Sequence, residues 1–176
     1  MDQITLERAR RGDRDAQASL LSASQDMWFR FCLSQLGSAD MARDATQETA
    51  LRVLRQLPGF RGESRIETWS LGIALNVVRE FRRDAGRQAV LRLADGVNPR
   101  EFAEAGDAPG GDELDKMHRL LRELPERQRQ AIVLRFFEQL SVEETAAAMS
   151  CAVGTVKATV HQALRTLRQR MDKRPM

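Results

Sequence analysis

The chain has 176 residues, 42% of them hydrophobic, enough to bury one core or two small ones. It holds no run of eighteen apolar residues, and Met1-Asp2-Gln3 does not begin a charged-then-apolar leader, which predicts a soluble, cytoplasmic protein without membrane insertion. Cys32 and Cys151 form no CxxC pair, and His118 and His161 show no nucleophile–base or metal-ligand spacing, so a disulfide framework, a zinc site, a cofactor and an enzyme are all disfavoured.

The net charge of +3 is unevenly spread: residues 1–92 carry +3, residues 93–113 carry −5 and residues 114–176 carry +5. The acidic stretch contains Gly96, Pro99, Gly106, Pro109, Gly110 and Gly111. It lacks the apolar surface to offset its ordering entropy and reads as a flexible acidic linker. The chain then consists of two small basic helical modules on a tether, all-α throughout, since no stretch alternates as a strand would.

In chain order, Ile4 to Arg11 reads as one short helix. Asp13 caps a longer one in which Leu20, Leu21, Met27, Trp28, Phe31 and Leu36 recur at three- and four-residue steps, ended by Gly37. Ser38 opens a third, through Ala42, Ala45, Leu51, Leu54 and Leu57 to the break at Pro58-Gly59. On it Asp44, Gln47, Glu48 and Leu51 share a face by their i, i+3, i+4, i+7 spacing, away from Arg52 and Arg55. Ordinary solvent exposure accounts for that face, and so does a basic protein partner.

A loop, Phe60-Arg61-Gly62-Glu63, leads into Ser64-Arg65-Ile66-Glu67, which has the spacing of a capping box. The helix after it is apolar on two sides: Ile66, Trp69, Ile73, Val77 and Phe81 on one, Leu71, Leu75 and Val78 on the other. Such a helix is buried or contacts a further element. Its basic end, Arg79, Arg82 and Arg83, beside a glycine-containing loop with Phe60, suits a nucleic-acid strand, though a core helix with a solvated end explains the same residues.

After the linker, Leu114, Met117, Leu121 and Leu124 mark a helix with His118 at its surface. Ser141-Val142-Glu143-Glu144 predicts a capping box and a short helix to Ser150-Cys151-Ala152, with Cys151 a small core side chain. A longer helix follows from about Val153 to Arg170. Val156, Val160, Ala163, Leu164 and Leu167 face a core; Gly154, Ala158, His161, Gln162 and Arg165 lie opposite, with Lys157 and Arg168 flanking. A short helix, a tight turn and a helix with a small, polar, cationic face fit a DNA major groove. A helical hairpin with a solvated charged side is the commonplace alternative.

At this point the residues resemble a known family. Asp44-Ala45-Thr46-Gln47-Glu48-Thr49, Phe60-Arg61-Gly62-Glu63-Ser64, and Thr68-Trp69 with Ile73-Ala74 and Asn76 are similar to region 2 of bacterial sigma-70-type factors. Leu124-Pro125-Glu126-Arg127-Gln128-Arg129, Leu140 to Ala146 and Val153-Gly154-Thr155-Val156-Lys157 resemble region 4. Without a region 3 domain, the pattern looks like the small extracytoplasmic-function group. The resemblance implies a region 2-like helical bundle at 1–84, a linker at 85–112 and a region 4-like helix-turn-helix domain at 113–176. It further implies a transcription initiation factor that binds core RNA polymerase, through its clamp helices and flap, and directs it to promoter DNA.

By the same resemblance Asp44, Gln47, Glu48 and Leu51 would dock the clamp helices. Phe60, Arg61, Gly62, Glu63, Ser64, Arg65, Asn76 and Arg79 would capture the −10 element. Val153, Gly154, Thr155, Lys157, Ala158, His161, Gln162 and Arg165 would enter the −35 major groove, where Gln favours adenine and Arg or Lys guanine. An anti-sigma factor is the further partner implied. Departures from the pattern are Leu71 for an aromatic, Leu75 for arginine, Ser150 for the turn glycine, and Thr159 and Gln162 for common arginines. A stand-alone helix-turn-helix regulator is the rival reading; it leaves the region 2-like module idle.

Overall fold

The computed structural model describes residues 2–94 and 119–172, and the regular elements among them are all helical. Helix α1 (Gln3–Arg10) is capped by Asp2, whose carboxylate accepts the Thr5 N–H at 2.8 Å. Helix α2 (Arg14–Leu36) starts from the predicted Asp13 cap, which accepts the Ala16 N–H, and stops at Gly37, whose φ of 75° is left-handed. Helix α3 (Ala39–Gln56) starts from Ser38 and gives way to a 3-10 turn, Leu57–Gly59, built on Pro58.

Helix α4 (Ile66–Ala94) departs from the expectation at both ends. The Ser64 hydroxyl donates to the Arg65 carbonyl at 3.4 Å, and the Glu67 carboxylate lies 3.5 Å from the Arg65 guanidinium, so the capping box read at Ser64 is not made. At the other end, residues 85–94, assigned from sequence to the linker, continue the helix. Ala85, Arg87, Gln88 and Leu91 are strong helix formers and outweigh Gly86. The rest of the linker and His118 lie outside the described residues.

Residues 119–122 are helical and precede Leu124-Pro125. Helix α5 (Glu126–Ile132) then widens into a π-turn, Val133–Phe137, closed by the Glu138 N–H on the Val133 carbonyl at 3.0 Å. Helices α6 (Val142–Met149) and α7 (Val153–Asp172) complete the chain's described part.

Helix α4 is apolar nearly all round because neighbours cover it. Helices α2, α3 and α6 all lie against it, α6 at Thr68 and Gly72. Leu71, Leu75 and Val78 are fully buried among Trp28, Phe31 and Leu20, and the Trp28 indole N–H donates to the buried Ser70 hydroxyl at 3.0 Å. Leu71 and Leu75 are thus core residues, and a buried position such as that of Leu75 is unsuited to an arginine. Cys32 sits in the same core, and burial pushes its thiol up to about 12, so it stays protonated at neutral pH.

The two modules are docked. A Cβ added at Gly72 would stand in ordinary contact, 3.6 Å, with the Ala148 Cα and carbonyl oxygen, so α6 passes close to the α4 backbone there. The Thr68 hydroxyl donates to the Glu144 carboxylate at 3.1 Å. Further along, the Arg82 guanidinium donates to the Gln35 carbonyl at 2.6 Å and lies 3.5 Å from Glu126, while Arg79 reaches Gln130 at 3.4 Å. Apolar residues of both modules merge into one core.

Candidate nucleic-acid and polymerase interfaces

The helix-turn-helix is fixed from its first residue. The Ser141 hydroxyl accepts the Glu144 N–H at 3.0 Å, and the Glu144 carboxylate accepts the Ser141 N–H at 2.8 Å, so the predicted capping box is complete. That backbone N–H, with the Thr68 hydroxyl, holds the Glu144 carboxyl below its ordinary value. At the turn Ser150 takes φ 51° and ψ 52°, the left-handed conformation for which glycine is the usual residue.

Helix α7 buries Val156 and Ala163 fully and Val160 and Leu167 in part. Leu164, expected on that face, is 46% exposed, because it stands about 100° round the helix from Ala163 and the buried stripe is narrow. The opposite face is as the spacing predicts: Gly154, Thr155, Lys157, Ala158, His161, Gln162 and Arg165 are exposed, with Val153 at its edge half-buried. A Cβ at Gly154 would meet no heavy atom within 4 Å, so nothing inside the chain calls for glycine there.

In the first module, Arg61, Gly62, Glu63 and Arg65 are exposed and Ser64 half-exposed, Gly62 turning the loop with φ 74°. Phe60 is buried beneath them, its ring 5.0 Å from that of Trp69. The two rings wall a pocket of about 250 Å³ with Arg61, Glu63 and Ser64. The Arg61–Glu63 pair, at 3.8 Å and almost fully solvated, leaves Arg61 free to exchange partners. Asn76 and Arg79 stand farther along α4. Asn76 is exposed, but Arg79 is half-buried and turned towards Gln130 of the second module. The eight residues therefore divide into an open loop group and a pair at the module junction.

On α3, Asp44 and Gln47 are exposed and Leu51 is 49% exposed, an unusual burden for a leucine beside carboxylates. Glu48 is less free. The Arg52 Nε lies 2.6 Å from its carboxylate, while the two terminal nitrogens of Arg52 reach Glu80 on α4 at 2.9 and 2.6 Å. Arg52 was placed away from this face by sequence; its i+4 offset from Glu48 was the available signal, and its partner 28 residues on was not. The forked pair with Arg52 lowers the Glu80 carboxyl and raises the Arg52 guanidinium.

The exposed polar and cationic face of α7 and the aromatic-walled loop of the other module form two separate surfaces with the chemistry of nucleic-acid contacts. The family described as Sigma-70 region 2 matches residues 20–88, and that described as Sigma-70, region 4 matches residues 114–167. The ECF RNA polymerase sigma factor SigD of Mycobacterium tuberculosis is 33% identical over 165 residues, covering 89% of this chain and 77% of its own. The ECF RNA polymerase sigma-E factor of Escherichia coli is 31% identical over 172 residues, covering 92% of this chain and 90% of its own.

Among solved structures, the sigma factor RpoE of Bartonella quintana in complex with the anti-sigma factor NepR matches with a TM-score of 0.73 at 26% identity, over 88% of this chain and 96% of that one. CnrH in complex with the cytosolic domain of CnrY matches with a TM-score of 0.74 at 20% identity, over 99% of each, a likeness of fold. The chain belongs to the extracytoplasmic-function group of the sigma-70 family.

Proposed function

We propose that this chain binds core RNA polymerase and directs it to promoters in two steps, with α7 reading the −35 element and the α4 module capturing the −10 element. The observation that carries this is the unobstructed α7 face joined to a second module with its own reading loop, in the order of the family's two regions. Lys157, His161, Gln162 and Arg165 can present donors and acceptors to base edges, and Gly154 allows the backbone close to a phosphate. The pocket between Phe60 and Trp69, rimmed by Arg61, suits an unstacked base held by ring contact and phosphate neutralisation. Asp44, Gln47 and the partly exposed Leu51 would meet the clamp helices, with Glu48 oriented by Arg52. The chain would work in the cytoplasm, where the polymerase is, and an anti-sigma factor would restrain it.

The described arrangement is a resting one on this reading. Promoter elements more than one duplex turn apart, about 34 Å or beyond, cannot be spanned while Thr68 and Glu144 are hydrogen-bonded. Polymerase docking has to part the modules, which supports tight promoter binding only within the assembled enzyme. Likeness to a sigma factor held by its anti-sigma factor favours the same view. Run-off transcription with core polymerase on a mapped promoter tests the proposal. Arg165→Ala is expected to weaken −35-dependent output by the equivalent of roughly 1–3 kcal/mol without affecting folding. Unchanged output would remove Arg165 from the reading face, and failure to bind core polymerase would end the proposal.

A further inference from the structure

Where the modules meet, beyond the Thr68–Glu144 bond, α3, α4 and α5 line an open cleft of about 780 Å³. Five arginines line it against two glutamates, Glu80 and Glu126. Two of the five are occupied: Arg52 by Glu48 and Glu80, and Arg82 by the Gln35 carbonyl and Glu126. The other three are not. Arg79 makes only long contacts, 3.4 Å each, to the neutral amides of Asn76 and Gln130. Arg83 exerts a longer-range pull on Glu80, and Arg127 has no hydrogen-bond or ion-pair partner among the described residues.

Three guanidiniums without a close carboxylate partner therefore face one space from two modules, Arg79 and Arg83 from α4 and Arg127 from α5. Like charges gathered in this way attract an anion placed between them. Guanidinium forks match phosphate oxygens in pairs, and several phosphates are needed to engage three of them. The volume falls within the roughly 300–1,000 Å³ of small-molecule sites. The wall is not purely cationic: Gln56 offers a free amide and Ile73 an apolar edge on which a planar base can lie, while the Gln130 amide is engaged by Arg79 and Glu126.

We infer that this junction is a binding site for a nucleoside polyphosphate, built from both modules and existing only while they are docked. Such a ligand binds the docked state and not the parted one, so it stabilises the docked state by mass action. It also occupies Arg79 and the neighbourhood of Asn76, two residues given above to the −10 element. That consequence rests on the proposed function; the binding itself does not.

Calorimetric titration of the full chain with inorganic triphosphate and, separately, with ATP tests the site without polymerase or promoter. Saturable one-to-one binding is expected for both, tighter for ATP. The pair Arg83→Ala and Arg127→Ala, both exposed and free of packing duties, should weaken it at least tenfold, and Arg14→Ala should not. A label pair spanning the modules should show them closer on adding ATP. Binding of equal strength in the double variant, or binding lost instead with Lys157→Ala and Arg165→Ala, would overturn the inference, as would the absence of saturable binding. Since no transcription enters the assay, its failure leaves the promoter reading intact, and a failed transcription assay leaves this site intact.

Discussion

At Gly154 the interior of the protein and its surface make opposite demands. A Cβ there meets nothing within 4 Å, and replacing a helical glycine gains up to about 1 kcal/mol, so Gly154→Ala is expected to fold at least as stably as the natural chain. The same side chain would hold the α7 backbone off the duplex. Thermal unfolding and −35 duplex binding, measured on one preparation, should therefore move apart: stability kept or raised, binding reduced. A parallel loss of both would show that the glycine serves the fold.

Two glutamates give the chain opposite pH responses. The Glu144 carboxyl is lowered in the fold, chiefly by the Ser141 N–H, so its contribution is present above the ordinary value near 4.5 and is lost as pH falls through the lowered one. Glu138 is raised by burial, with Arg30 partly offsetting it. The fold prefers its protonated form, so Glu138 favours folding at acid pH and loses that contribution as pH rises through its raised value. Glu138→Gln should accordingly raise stability at pH 7 and flatten the pH profile above 5, as read by urea denaturation at a series of pH values. Glu144→Gln should lower it at pH 7. Which side chains acquire these properties was only half visible in sequence. The Ser141–Glu144 box is local and was read correctly; the box at Ser64 has the same spacing but loses its glutamate to Arg65.

Among the elements, α4 joins everything else. Its two apolar faces in sequence required neighbours beyond one helix, and the fold supplies α2, α3 and α6. What periodicity could not say is that one of these neighbours is the other module. The narrow buried stripe of α7 was read one residue too wide at Leu164, since a period of 3.6 places several residues near any boundary. The last ten residues of α4 adjoin an acidic, glycine-rich composition that reads as linker, and their own helix propensity outweighs it. The tie between α3 and α4 was invisible because Arg52 and Glu80 are 28 residues apart. Arg52→Ala should destabilise the first module by about 1 kcal/mol, the upper range for a partly solvated pair, seen as a lower urea midpoint with an unchanged slope. It should also free Glu48 and weaken binding to core polymerase more than Arg55→Ala does.

For the molecule as a whole, the question is whether two readers packed on one helix must part before they read. Helices and charges are local patterns and legible in sequence; the packing of α6 on α4 is not, because it rests on a close approach at Gly72 and Ala148 and on a few polar contacts with no periodic signature. Gly72→Cys with Ala148→Cys, in a Cys151→Ser background, places two thiols across the α4–α6 contact, where a Cβ at position 72 would stand 3.6 Å from the Ala148 Cα, for oxidation to a disulfide. Cys32 is buried and will not compete. The decisive measurement is run-off transcription by core polymerase with this variant, oxidised and then reduced, on one mapped promoter. Opening on the promoter predicts no specific transcript from the oxidised chain and full recovery on reduction. Equal transcript from both forms would show that the docked arrangement is itself competent, and no transcript from the reduced form would contradict the assignment as an initiation factor.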